Sequence, residues 1–217
     1  MALQEGDFVK IDFTGSISET QEVFDTTKKD VAQEHNIQTQ KVDYEPITIC
    51  IGQGHVLPGL DKALVGKKEQ EEFEVKLAPE DAFGKKDAKS IKLMPKKVFD
   101  KQQIRVQPGA QVTIDDMPAT IKSISGNRVV VDFNHQLAGH ELTYQIHTHK
   151  KVTDKKTQVE TIVENTLRAP ADVTIKETSA TVKFPIELPK KIQEKLTELI
   201  TETTDITDVT YETKQNA

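Results

Sequence analysis

Six histidines, one cysteine and no tryptophan limit the chemistry open to this chain of 217 residues. His147 and His149 are one residue apart and share one face of a strand, the spacing of two imidazole metal ligands. No cysteine or third histidine lies close to them in sequence, so the pair reads as a solvated strand face. His135 and His140 fall in a loop that His135 serves to order, His35 sits in a polar stretch, and His55 has no evident partner. Cys50 occupies a strand position and reads as a small core hydrophobe rather than a nucleophile. As a lone cysteine it excludes an internal disulfide and fits a reducing compartment. What remains is apolar. Ile47, Ile49 and Ile51 alternate with Thr48 and Cys50, a half-buried strand that stops at Gly52 and Gly54. Leu57, Leu60, Ala63 and Leu64 then fall at helical spacing, with Pro58 in the first turn and Gly66 just past the end. A strand running into such a helix makes Val56 and Leu57 the floor of a hollow, with the Leu57 N–H at its rim.

Other elements must hold that hollow. Val9, Ile11 and Phe13 alternate with Phe8, Lys10 and Asp12 and predict a strand, as do Phe73, Val75 and Leu77 among Glu72, Glu74 and Lys76. From Lys28 to Tyr44 the chain is polar and without periodicity, a long surface loop or short irregular helix. After Gly84 the texture turns lysine-rich, then to short strands over 104–106, 112–114, 119–124 and 129–133, broken by Pro108-Gly109 and Gly126-Asn127 turns. Leu142, Tyr144 and Ile146 resume the earlier alternation, as expected of a module inserted between two strands of one domain. Beyond Thr153 the pattern predicts strand-like runs over 159–167 and 173–184, a helix from Pro189 to about Thr203, and a last strand over 206–211. The helix carries Ile192, Leu196, Leu199 and Ile200 as one apolar stripe.

The formal net charge of −6 argues against general affinity for nucleic acid. The exception is the stretch from Lys85 to Lys101, with seven lysines and Phe99 as its one aromatic, which reads as a solvated face. No apolar run has transmembrane length, and the first residues lack the basic and apolar regions of a signal peptide. A cytoplasmic location with no membrane association is expected.

Five pieces in order resemble the FKBP-type peptidyl-prolyl isomerases, in particular the SlyD-like and long archaeal branch that carries an insert in the flap. They are Asp12-Phe13-Thr14-Gly15, Val23-Phe24-Asp25-Thr26-Thr27, the stretch from Gly54 to Leu64, Pro79-Glu80-Asp81-Ala82-Phe83-Gly84, and the stretch from Val131 to Gly139. The resemblance implies an α+β fold in which an antiparallel sheet wraps a short helix. It divides the chain into an isomerase domain (1–84 and 131–152), an inserted, mostly β flap domain (85–130) and a small C-terminal α+β domain (153–217). It also implies that Phe13, Phe24, Asp25, Val56, Leu57, Leu60, Phe83 and Tyr144 form the catalytic pocket, with no cofactor and no metal. Leu60 stands where many members have Trp, Phe13 and Phe83 where Tyr is common, Tyr144 where Phe is usual, and Gln136 where Pro is frequent.

Such a pocket needs no reactive group. The prolyl amide resists rotation by ~20 kcal/mol through a charge-separated resonance form that water stabilises. An apolar hollow therefore favours the twisted, less polar transition state. The resemblance implies that the Leu57 N–H would hold a substrate carbonyl and that Asp25 would sit at the edge. The resemblance points to an isomerase that assists folding and holds unfolded or partly folded, proline-containing chains. In the insert, Met94, Val98, Phe99 and Met117 are candidates for an adaptable client surface, or else for the insert's own core. A non-catalytic holdase and a ribosome-associated module are the alternatives. A homodimer through 153–217 is a further expectation, because a domain of that size is only marginally stable alone.

Overall fold

A computed structural model describes residues 2–37 and 44–213; part of the polar stretch after Lys28 lies outside them. Along the chain run β1 (Phe8–Ile17), β2 (Val23–Thr26), α1 (Lys29–Glu34), β3 (Ile47–Cys50), α2 (Pro58–Leu64), β4 (Glu72–Leu77), β5 (Ile91–Pro95), α3 (Lys96–Lys101), β6 (Gln111–Ile114), β7 (Met117–Ser125), β8 (Arg128–Asp132), β9 (Leu142–Lys151), α4 (Lys155–Leu167), β10 (Asp172–Lys176), β11 (Ser179–Phe184), α5 (Lys190–Thr203) and β12 (Asp208–Thr213). The fold is α+β. Two compact units emerge, one of Met1–Lys76 with Thr143–Ala217, the other of Leu77–Leu142. No helix among the described residues is long and apolar enough to cross a membrane.

In the first unit β1 is long enough to serve two partners. Its first half pairs antiparallel with β3, Phe8 opposite Cys50 and Ile11 opposite Ile47, and its second half pairs with β2, Thr14 opposite Thr26 and Gly15 opposite Asp25. Across its other edge lies β9, followed by β4. α2 starts at Pro58, whose fixed φ suits a first helical position, and it buries Leu60 and Leu64. Gly66, at φ +84°, supplies the left-handed turn that follows.

The C-terminal segment adds β10, β11 and β12, with β11 antiparallel to β10 and parallel to β12. A parallel pair needs a crossover, and α5 is that crossover. Val159, Ile162, Val163, Leu196, Ile200 and Phe184 form one core with Phe8 of β1 and Cys50 of β3. The segment thus buries its apolar face against the first sheet. Within it, the expected strand over 159–167 is the second half of α4. Its β-branched content favours a strand, but Val159, Ile162, Val163 and Leu167 keep helical spacing and pack into this core. Asp154 caps the start, its carboxylate accepting from the Thr157 N–H at 2.9 Å, an interaction worth about 0.5–2 kcal/mol. The single run read over 173–184 is a hairpin, turned at Glu177 (φ +55°).

In the second unit the sheet order is β5-β8-β7-β6, all antiparallel. Two features depart from the sequence reading, and a third lies outside it. The lysine-rich stretch contains β5 and α3. The run over 104–106 is not a strand: Ile104 closes α3 through its N–H to the Phe99 carbonyl at 2.9 Å, and Ile104 and Val106 pack on the core. The turn between β6 and β7 is Asp115-Asp116, both at positive φ (49° and 61°), the primed geometry that matches strand twist.

Of the two roles left open for Phe99, a client surface or the insert's own core, it takes the second. It is fully buried and centres this unit's core with Ile114, Ile121, Val129 and Val131, so it is no client-gripping residue. A unit this poor in large apolar side chains needs its one helical aromatic inside. Met94 and Val98 are partly buried against the same core, whereas Met117 stays exposed.

Candidate active site

Phe13 is on β1, Phe24 and Asp25 are on β2, and Tyr144 is on β9, so strand pairing alone brings these four together. The ring of Tyr144 lies 5.9 Å from that of Phe13, tilted by 53°, and 5.9 Å from that of Phe24, nearly edge-on at 82°. Both geometries are favourable for aromatic quadrupoles. The rings can close up because residue 15 has no side chain. A Cβ there would lie 2.8 Å from Tyr144 Cε1 and 2.9 Å from Phe24 Cζ.

Threonine hydroxyls tie the strand that carries Phe24 and Asp25 to β1. The Thr27 N–H donates to the Phe13 carbonyl at 3.0 Å, and the Phe13 N–H donates to Thr27 Oγ1 at 3.0 Å. Thr26 Oγ1 donates to the Phe13 carbonyl at 3.1 Å and lies 2.9 Å from Thr14 Oγ1. Thr26 and Thr27 are both buried. They are the positioning residues that the sequence reading gave no role, and their signal was the Thr-Thr pair directly after Phe24-Asp25.

The lip of the hollow is pinned in the same way. The Cys50 N–H donates to His55 Nδ1 at 3.1 Å, and the Gly54 N–H donates to Asp61 Oδ2 at 3.1 Å. His55 therefore has a partner after all. Val56 and Leu57 are half-buried and Leu60 is buried. Leu57 precedes the first helical residue of α2, so its N–H lies outside the intrahelical ladder. Its carbonyl accepts from the N–H groups of Leu60 and Asp61.

Burial favours the uncharged forms of Tyr144, Cys50 and His55. Burial, and secondarily the negative charge of Asp25, hold the Tyr144 hydroxyl well above the ordinary tyrosine range. Burial pushes the Cys50 thiol up to about 12, with Asp61 and Asp7 adding to the effect, so Cys50 carries no thiolate at neutral pH. Burial lowers the His55 pKa, partly offset by Asp61, and so favours the neutral imidazole that accepts the Cys50 N–H. The cluster holds a carboxylate, a neutral phenol and apolar walls, which suits binding and twisting of an amide, not covalent chemistry.

Of the eight pocket residues expected from the sequence, Phe13, Phe24, Asp25, Val56, Leu57, Leu60 and Tyr144 lie in the first unit. Phe83 belongs to the second, where its half-buried ring stacks on His135 at 4.3 Å with the planes 2° apart. His135 Nδ1 also accepts from the Leu137 N–H at 3.2 Å, in keeping with its loop-ordering role. A separate cavity of about 1110 Å³ in the first unit runs from Gly54 and His55 past Thr48 to Glu160, Glu164 and Arg168, and no phenylalanine or tyrosine lines it. On the back of the first sheet Asp12 joins His147 and His149, a third candidate ligand that spacing along the chain concealed.

The profile of the family described as FKBP-type peptidyl-prolyl cis-trans isomerase matches residues 1–115. A "Short-type peptidyl-prolyl cis-trans isomerase" of Methanocaldococcus jannaschii is 33% identical over 144 residues, 66% of this chain and 90% of that protein. A "Probable FKBP-type 16 kDa peptidyl-prolyl cis-trans isomerase" of Pseudomonas fluorescens is 32% identical over 109 residues, 48% of this chain and 71% of that protein. SlyD of Haemophilus influenzae, named as an FKBP-type peptidyl-prolyl cis-trans isomerase, is 35% identical over 105 residues; the match spans 55% of its length.

Proposed function

The chain belongs to the SlyD-like FKBP-type peptidyl-prolyl cis-trans isomerases, and from that premise we propose that it turns over X-Pro bonds at the aromatic cluster of its first sheet, on unfolded or partly folded client chains. The observation that carries this reading is the packing of Phe13 and Phe24 on Tyr144, with the charge of Asp25 acting on the same hydroxyl. The proline ring enters the apolar hollow above Leu60 while the Leu57 N–H donates to a substrate carbonyl. Removing water from the amide weakens its charge-separated form, which is where the rotation barrier of ~20 kcal/mol originates. Asp25 acts at the edge on the carbonyl as it swings out of plane. Leu57 and Tyr144 form the adjoining subsite, so an apolar residue before the proline is preferred. The Tyr144 hydroxyl stays protonated throughout and is never a base, so its ring is what the site uses. Measuring exchange of short X-Pro peptides with Leu or Glu before the proline tests this: a preference for Glu rejects the apolar subsite.

The second unit is the client-holding part of this reading. Ile91 and Leu93 on β5 are 42% and 57% exposed, and Met117 is 47% exposed. β5 is an edge strand, able to accept an extended chain beside it, and the two aliphatic side chains offer apolar contact for the same client. Deleting 85–130 and joining the ends should leave turnover of a short peptide intact and reduce turnover of a refolding protein. Equal handling of both substrates rejects the holding role. A homodimer through 153–217 is a separate proposal. Light scattering tests it: a doubled mass for the full chain, and a single mass for a version ending at Lys151, are the outcomes it requires.

A further inference from the structure

We propose that Asp12, His147 and His149 form a divalent transition-metal site on the face of the first sheet opposite the aromatic cluster. Alternation along the strands sets this geometry. Tyr144 points to one face of β9 and His147 and His149 to the other, while Phe13 and Asp12 divide β1 in the same way. β1 and β9 are neighbours, so Asp12 comes beside the two histidines despite a separation of more than a hundred residues along the chain.

One ligand atom from each residue lies within 4.8 Å of the other two. His149 Nε2 is 2.8 Å from Asp12 Oδ2, and the two imidazole rings lie 4.4 Å apart. Ligands about 2.0–2.2 Å from a common ion are about 3.0–3.5 Å from one another, so small side-chain adjustments suffice. The carboxylate is already oriented: its other oxygen, Oδ1, accepts from Thr27 Oγ1 at 2.7 Å. Outer hydrogen bonds of this kind fix a ligand's direction and raise its basicity. A cavity of about 270 Å³ reaches His147 and is lined also by Glu72, Glu74 and Lys28, two acidic groups against one basic, with room for a water as a further ligand. All three ligands are partly buried, which lowers the entropy lost in fixing them.

Two imidazoles and one carboxylate with an open position suit Zn²⁺, Co²⁺ or Ni²⁺ over the hard ions Mg²⁺ and Ca²⁺. A bound ion would clamp the first strand of the sheet to β9. It would do so one residue from Phe13 and, through Thr27, two residues from Asp25, tying the metal to the frame of the aromatic cluster.

The test uses the full chain and ZnCl₂. Equilibrium dialysis should give one ion per chain, and one equivalent should shift the side-chain NMR signals of His147 and His149 but not those of His35 and His140. His147→Gln and His149→Gln should each weaken binding more than tenfold, Thr27→Val by about 10–100-fold, and His35→Gln not at all. Circular dichroism on each variant separates loss of a ligand from loss of fold, and the NMR readout needs no variant. Binding below one ion per chain at 0.1 mM zinc overturns the proposal. So does binding that leaves the His147 and His149 signals in place, or that survives their joint replacement.

Discussion

Replacing Gly15 with alanine separates packing of the aromatic cluster from stability of the sheet. The added Cβ would lie 2.8 and 3.0 Å from two atoms of the Tyr144 ring and 2.9 Å from Phe24 Cζ, whereas ordinary contact begins near 3.4 Å. The rings must therefore retreat by about 0.5 Å. Phe24 is half-buried and can swing, but Tyr144 is only 3% exposed and cannot. Overpacking of this kind costs about 1–3 kcal/mol, and alanine recovers about 0.5–1 kcal/mol by stiffening a strand position that needs no positive φ. The net loss is about 1–2 kcal/mol, read as a lower urea midpoint. Activity should fall more, by tenfold or beyond, because displacing a binding wall by a fraction of an ångström disturbs the geometry that turnover requires. Gly66→Ala is the control. Its φ of +84° makes alanine strained, but no atom lies within 4 Å of the added Cβ. It should lower stability by a comparable amount while leaving the rate of proline isomerisation unchanged. A Gly15→Ala protein with full activity refutes the idea that the Phe13, Phe24 and Tyr144 rings form the working surface.

The titrating groups give three further predictions. The folded pKa of Tyr144 is raised, so its contribution to stability is complete below about pH 10 and is lost as pH rises above that. Asp25→Asn should lower the tyrosine titration followed by ultraviolet difference absorbance; an unchanged midpoint removes Asp25 from the hydroxyl's surroundings. His55 has the opposite sign. Its folded pKa lies below the usual 6.5, so stability is lost as pH falls below that value and the unfolded chain takes up a proton the folded one refuses. His55→Gln should flatten this part of the acid-unfolding profile. Cys50 is fully buried with its thiol pushed up to about 12, so it should resist a thiol reagent at pH 8 until the chain unfolds; rapid labelling of the folded protein contradicts the burial.

The pieces legible in the sequence were those in which local pattern and tertiary demand agree. Alternation over 8–13 and 47–51 gave β1 and β3, and Pro58 and Gly66 bracketed α2. The pocket residues themselves came from ordered motifs, since Phe13, Phe24 and Tyr144 are each unremarkable strand residues until pairing brings β1, β2 and β9 side by side. Where local preference and packing diverge, the reading failed. Residues 159–167 are β-branched enough to suggest a strand, yet the Asp154 cap and the shared core with Phe8 and Cys50 make them helical. For Phe99 the sequence left a client surface and the insert's core both open, and tertiary packing alone makes it the anchor of the second unit's core. Of the Asp12, His147 and His149 cluster the sequence showed the histidine pair and hid the third member, because Asp12 meets the histidines only through the pairing of β1 with β9.

The proposed mechanism places prolyl isomerisation in an aromatic cleft with one carboxylate at its edge. The most direct test is the rate of a proline-limited refolding reaction, which otherwise takes tens of seconds or more, in the presence of the full chain and three variants. Strong acceleration is expected from the native chain and from Tyr144→Phe, which keeps the ring, and a loss of tenfold or more from Tyr144→Leu and from Asp25→Ala, each confirmed to be folded. Equal acceleration by all four proteins would contradict the mechanism.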